Sequence, residues 1–283
     1  MKIRIGGVPE HFNYPWQLLT ESTQLKKEGV EIEWTDYPGG TGAMCSSLED
    51  DELDMAVVLT EGIVKSILQG NPSKILSFYV YSPLIWGIHV SQRSKIRKLE
   101  ELDRPKYAIS SYGSGSHLMA MIDAKIREKA IHESQFVQVF DLDGARRALK
   151  NGKADVFFWE KYTTSPFVES FEFARIAERP SPWPCFVIAV APSFLKANQS
   201  KIGILLKALQ KQCDDIKNSS ESYQEISQVY DLPYSMTMDW LNGTRWRISQ
   251  KNLDQVLHTV QLALLKFGMT KAKLPTDHFI ATP

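Results

Sequence analysis

The sequence is short of everything a preformed covalent or metal-bound framework would use. Its three cysteines, Cys45, Cys185 and Cys213, are odd in number and far apart. That excludes a disulfide framework and a paired-CxxC zinc site, and leaves buried thiols as the expectation. Net charge is missing too: Lys plus Arg and Asp plus Glu are 33 each. No overall field therefore draws the chain to nucleic acid or to an anionic membrane surface, and no nucleic-acid partner is expected. No run approaches the ~18 apolar residues of a membrane span. A GxSxG elbow, an HExxH pair, an EF-hand loop and a phosphate loop are all absent, and Gly113-x-Gly115 has Leu118 where a dinucleotide fingerprint needs its third glycine. The six histidines are scattered. We therefore expect no catalytic constellation, no metal site and no cofactor. No apolar leader precedes Met1 to Gly6, which reads directly as a strand. The expected setting is cytoplasmic, or periplasmic if a leader was removed.

What is present is an ordinary globular composition, 43% hydrophobic and 23% charged over 283 residues, enough for two lobes of roughly 100 to 150 residues each. Strand and helix signals alternate from the first residue, the pattern of α/β units with mainly parallel sheets. Strands are expected near Lys2 to Gly6, Glu31 to Thr35, Asp54 to Leu59 and Lys74 to Val80, then near Tyr107 to Ser110, Gln135 to Phe140 and Asp155 to Trp159. The second series echoes the first. Leu48 and Asp54 stand six apart before one apolar run, Leu149 and Asp155 six apart before the other, and each run ends in a carboxylate, Glu61 or Glu160. The fold expected is α/β: two doubly wound lobes joined by a two-strand hinge. Residues 1–85 and 185–283 form the first lobe and residues 86–184 the second, with prolines 83, 180, 182 and 184 at the crossings.

Two glycine turns carry the sharpest signal. Ser111, Gly113, Ser114, Gly115, Ser116 and His117 lie between an expected strand and a helix. There the glycines allow a tight turn and the free helix N–H groups form an anion site, to which serine hydroxyls add donors. Gly39, Gly40 and Thr41 repeat the arrangement in the other lobe, ahead of a helix expected from Ala43. Ser114 or Ser116 could equally cap the helix with no ligand present. Phe12, Trp159 and Trp183 fall where the strands end and could sandwich an apolar or planar ligand, or simply pack. Glu61 and Glu160 could receive ligand donors. His11 and His117 are the two histidines placed near that end, so an enzyme using a His/Glu pair in a cleft is the alternative to a binding protein.

In their order, these segments resemble the class II periplasmic-binding-protein fold, specifically the nitrate, sulfonate and taurine substrate-binding proteins and the thiamine-pyrimidine-synthase-like superfamily. Gly39 to Gly42, Leu48 to Asp54, Gly113 to Ser116, and the late strand Phe186 to Ala191 with Pro192-Ser-Phe-Leu195 carry the likeness. The resemblance implies one small, anionic ligand closed between two lobes by residues after each strand: Val8 to Phe12, which includes Pro9 and His11, then Gly39 to Thr41, Thr60, Glu61, Ser111 to His117, Trp159 and Glu160. Two departures shape the expectation. No export signal is apparent, which argues against a membrane transporter as partner and for a leaderless relative. The iron-motif cysteines are absent, which argues against the thiamine-pyrimidine synthase reaction. A regulator's effector domain would need a helix-turn-helix segment that the chain lacks.

Overall fold

The computed structural model describes residues 1–281, which divide into two compact units. One comprises Met1–Ser82 and the chain from Trp183 onward; the other is Pro83–Pro182. In chain order the first unit contains β1 (Lys2–Gly7), α1 (Tyr14–Thr20), α2 (Thr23–Lys27), β2 (Glu31–Asp36), α3 (Gly40–Glu49), β3 (Met55–Leu59), α4 (Thr60–Leu68) and β4 (Lys74–Val80). The second contains β5 (Ile85–Ser91), β6 (Tyr107–Ile109), α5 (Gly115–Ile126), β7 (Phe136–Gln138), α6 (Leu142–Lys150), β8 (Val156–Glu160), α7 (Ser165–Glu169) and β9 (Phe173–Pro180). The chain then completes the first unit with β10 (Phe186–Val190), α8 (Pro192–Asn218), α9 (Ser222–Val229), α10 (Tyr234–Gly243) and α11 (Leu253–Lys266).

Each unit is built on one five-stranded sheet, ordered β2-β1-β3-β10-β4 in the first and β7-β6-β8-β5-β9 in the second. The two orders correspond position by position: three parallel strands, one antiparallel strand, then an outer strand. The sheets are therefore mixed rather than wholly parallel, because β10 runs antiparallel to β3 and β4, and β5 antiparallel to β8 and β9. β5 and β9, which the sequence did not suggest as strands, are the segments on either side of the second unit's core.

The repeated Leu-x5-Asp pattern does the same work in both units. Leu48 and Leu149 are buried, and each aspartate, one residue before β3 or β8, clasps the parallel strand beside it, β1 or β6. Asp54 Oδ2 accepts the Arg4 N–H at 2.8 Å while the Asp54 N–H donates to the Arg4 carbonyl at 2.9 Å. Asp155 Oδ2 accepts the Lys106 N–H at 2.7 Å while its own N–H donates to the Lys106 carbonyl at 2.8 Å. A short acceptor one residue before a strand satisfies an edge amide that would otherwise be orphaned.

The cores follow from residue spacing. α11 buries Leu253, Leu257, Val260 and Leu264, one stripe at helical period, and packs on α4, whose Ile63, Val64 and Ile67 face the sheet. Each such aliphatic side chain contributes roughly 1.5–3 kcal/mol by leaving water. In the second unit α6 approaches the sheet closely through small residues, Gly144, Ala145 and Ala148. A Cβ at Gly144 would lie 1.8 Å from the Val139 carbonyl oxygen, so only glycine allows that approach. α8 opens on Pro192, as the first turn of a helix permits, and is kinked at Asn198.

Candidate functional site

In each unit the candidate residues gather at one end of the sheet, the carboxyl ends of its parallel strands, where open α/β sheets bind ligands. The first unit brings there Pro9 after β1, Gly39 to Thr41 after β2, and Thr60 and Glu61 after β3. The second brings Ser111 to His117 after β6 and Glu160 at the last position of β8.

The first unit uses most of its candidates to hold itself together. His11 and Phe12 form part of a short 3-10 turn that folds inward, with Asn13 Nδ2 donating to the Val8 carbonyl at 2.8 Å. Both rings are buried, with centroids 4.9 Å apart and each edge-on to Trp240 of α10. Burial lowers the His11 pKa to about 3, so at neutral pH it is an uncharged member of an aromatic core, contrary to the expected ligand donor or base. Trp183, expected as a ligand wall, is buried and donates its indole N–H to Glu61 Oε2 at 2.8 Å. Glu61 is itself fully buried, which raises its pKa, with the Trp183 N–H pulling the other way. Thr60 Oγ1 donates to the Pro184 carbonyl at 2.6 Å and the Thr60 N–H to the Cys185 carbonyl at 3.0 Å. The returning chain is thus pinned to the first turn of α4 by the residues read as ligand contacts.

The glycine turn of this unit remains accessible. α3 begins at Gly40 rather than near Ala43, and Gly40 has φ 68°, a conformation that favours glycine. Thr41 Oγ1 accepts the Leu59 N–H at 3.0 Å, bracing the start of α3 against the end of β3.

The second unit's turn is more elaborate. Gly113 has φ 78° and Ser114 caps α5, its Oγ accepting from the His117 N–H at 3.4 Å. His117 Nδ1 in turn accepts the Gly113 N–H at 2.8 Å, which makes the imidazole a brace of the turn. Three hydroxyls stand in a row: Ser116 Oγ lies 3.1 Å from both Ser110 Oγ and Ser114 Oγ. Backbone amides also donate into them, Ser110 N–H to Ser116 Oγ at 3.0 Å and Ser111 N–H to Ser114 Oγ at 3.4 Å. Two hydroxyl–hydroxyl links use two of the three protons, so one O–H is not used within the row. With the Ser114 cap on the third amide of α5, the amides of Gly115 and Ser116 are the helix-end donors without an intrahelical acceptor.

The other candidates of this unit serve its own fold. Glu160 Oε2 accepts the Tyr162 and Thr163 N–H groups at 2.8 and 2.7 Å and the Thr163 hydroxyl at 2.9 Å, and burial raises its pKa to about 7. Trp159 lies within β8, stacked on Phe157 at 5.1 Å and packed on the core cluster of α6. Two aromatic residues stand beside the turn, Tyr112 within the Ser111 to His117 segment and Phe140 at the end of an expected strand. Tyr112 is exposed and edge-on to His117 at 5.4 Å. Phe140, 72% exposed with φ 71°, donates its N–H to the Ser110 carbonyl at 3.0 Å. Phe140 was taken for strand; the signal for it was Asp141, an N-cap whose Oδ1 accepts from Gly144 and which must follow a loop residue.

Among the described residues no group of three or more His, Cys, Asp or Glu side chains could hold a metal ion, and no helix is long and apolar enough to cross a membrane.

Two mixed α/β units of equivalent strand order, joined by two chain crossings, define the periplasmic-binding-protein fold, and the comparisons with known proteins agree. The family model described as Ca3427-like PBP matches residues 86–179. Among solved structures, the Candida albicans CA3427 gene product superposes with a TM-score of 0.89 at 21% identity, covering 99% of this chain and 96% of its own. The alkanesulfonate-binding protein SsuA from Xanthomonas axonopodis pv. citri, bound to MOPS, gives 0.80 at 13% identity over 99% and 98% of the two chains. The periplasmic nitrate-binding protein NrtA from Synechocystis PCC 6803 gives 0.72 at 14% identity over 97% and 83%. No curated protein matches by sequence.

Proposed function

We propose that this protein binds a small anion bearing an apolar part, and that the Ser110 to His117 turn receives the anionic group. The observation carrying this reading is the row of three serine hydroxyls, with one O–H more than the row itself uses, beside the first two amides of α5, which have no intrahelical acceptor. Amides at a helix N-terminus favour negative charge through the helix dipole, and fixed hydroxyl donors add direction. Tyr112 and Phe140 supply exposed apolar surface next to those donors, which suits an organic rather than an inorganic anion. The similar proteins named above as binding alkanesulfonates and nitrate support the anionic class. Binding, rather than chemistry, is favoured because the expected base His11 is an uncharged core residue and Glu61 and Glu160 serve backbone and indole donors.

A thermal-shift panel of methanesulfonate, phosphate, acetate and nitrate tests the reading. One class should raise the melting temperature in a concentration-dependent way, since ligand at 100 times its Kd adds about 2.7 kcal/mol. No stabilisation by any of them at millimolar concentration overturns it. Closure is proposed with it: the stabilising anion should reduce the radius of gyration in small-angle scattering.

A further inference from the structure

The Pro83–Pro182 unit has a second concave surface at the opposite end of its sheet, where β5 ends and β8 and β9 begin. A cavity of about 280 Å³ opens there, just below the ~300–1,000 Å³ of small-molecule sites. Its apolar lining includes Leu149 of α6 and Phe173 of β9, both buried. Phe171 stands at its rim. One polar wall is an ion-pair cluster with one carboxylate in surplus: Arg146 donates to both Glu172 oxygens at 2.8 and 2.9 Å and to Asp143 at 2.8 Å. Arg93 and Lys150, which also line the cavity, have no carboxylate partner among the described residues. Arg93, Lys150 and Arg146 against Glu172 and Asp143 leave one positive charge in surplus beside an apolar floor, and the two cations without a direct partner carry it.

Two further features mark this surface. Phe171 is 74% exposed and has φ 59°. Its N–H donates to Val168 and the Glu172 N–H to Phe167, so Phe171 holds the left-handed position that ends α7, where glycine is the favoured residue. A bulky aromatic ring at that position is disfavoured by backbone and by solvation alike. The loop bearing Arg93 is also held in place. Arg97 turns its guanidinium inward onto the carbonyls of Gln92, Ser94 and Ile96, which leaves Arg93 to project from a fixed backbone.

We propose that this cavity is a second binding site, for a small organic anion. Arg93 and Lys150 hold its phosphate or carboxylate, and Phe171 covers its apolar body. The site lies at the far end of the sheet from the Ser110 to His117 turn and is independent of the function proposed there.

The test is titration of the full-length, ¹⁵N-labelled protein with phenyl phosphate, and separately with inorganic phosphate, followed by backbone amide shifts. Phenyl phosphate should shift the amides of Ser91 to Arg93 and Phe171 to Phe173 saturably. The Arg93→Ala/Lys150→Ala variant should weaken binding of both probes at least about tenfold, as loss of charge-assisted contacts requires. Phe171→Gly should weaken phenyl phosphate and leave inorganic phosphate unchanged, while its melting temperature stays equal or rises because glycine accepts the left-handed backbone. Shifts confined to Ser111 to His117, or an affinity at the distal amides that the double substitution leaves unaltered, would overturn the proposal.

Discussion

Replacing Trp183 by phenylalanine removes the indole N–H that reaches a fully buried carboxylate, Glu61 Oε2 at 2.8 Å. A hydrogen bond to a charged group contributes about 1.5–3 kcal/mol, and a buried acceptor deprived of its donor loses that much or more. For a unit of this size 1 kcal/mol moves the melting temperature by about 2–4 °C, so W183F should lower it by roughly 4–8 °C at pH 8. Burial raises the Glu61 pKa, so the folded state holds this proton more tightly than the unfolded chain does. Its contribution to stability is present at low pH and is lost as pH rises through the folded value. Trp183 favours the ionised form, so its removal raises that pKa further and the W183F penalty is larger above the folded value than below it. In an E61Q background the indole keeps a neutral acceptor, and W183F should cost about 1 kcal/mol at every pH. Urea denaturation of the four proteins of this cycle at pH 5 and pH 8 measures the effect. A W183F penalty that is the same at both pH values and in both backgrounds refutes the reasoning.

Three further outcomes follow from the same structure. Gly144→Ala drives a Cβ into the Val139 carbonyl and should destabilise the second unit by about 3 kcal/mol, read as a lower urea midpoint; a midpoint within error of wild type contradicts it. Asp123 is fully buried between Arg127, at 2.7 Å, and Arg179, at 2.5 Å, so Asp123→Asn leaves two guanidiniums facing a neutral amide and should cost about 3–5 kcal/mol in the same assay. His89 is held neutral with its pKa lowered to about 3, by burial first and by Arg175 second. Its stabilisation is complete above the ordinary value of 6.5 and declines as pH falls toward the folded value, by up to about 1.4 kcal/mol per pH unit. His89→Gln should flatten the fall in stability between pH 6 and pH 4 by that slope, and an unchanged profile counts against the assignment.

The parallel half of each sheet was legible because β3, β6 and β8 are apolar runs bounded by turn residues, β1 alternates charged and apolar residues, and the Leu-x5-Asp echo marked true equivalents. β5 and β9 were not legible. Ile85–Ser91 closely follows Pro83, which suggests a crossing, and Phe173–Pro180 is half-buried with charges interspersed, so its pairing with β5 is a long-range choice that local pattern does not encode. The end of each sheet where the parallel strands finish was legible, although β7 stops at Gln138, short of the expected Phe140; which side chains turn inward there was not. Phe12, Trp183 and Glu61 look the same in sequence whether they face a ligand or one another. What distinguishes them is the packing of α10 and of the returning chain, residues 183–185, far away in sequence. Glycine turns fared better, since a left-handed backbone such as that of Gly113 is local.

The central claim is that amides and hydroxyls of the Ser110 to His117 turn hold an anion. Gly115 is the first residue of α5, and Ser114 before it is extended, with φ −75° and ψ 170°, so proline fits at position 115 and removes one donor without breaking the helix. Isothermal titration of the anion that stabilises the protein most, against wild type and Gly115→Pro, is the direct measurement. The account predicts an unchanged melting temperature without ligand and a Kd raised at least about tenfold. A folded Gly115→Pro protein that binds with wild-type affinity contradicts it.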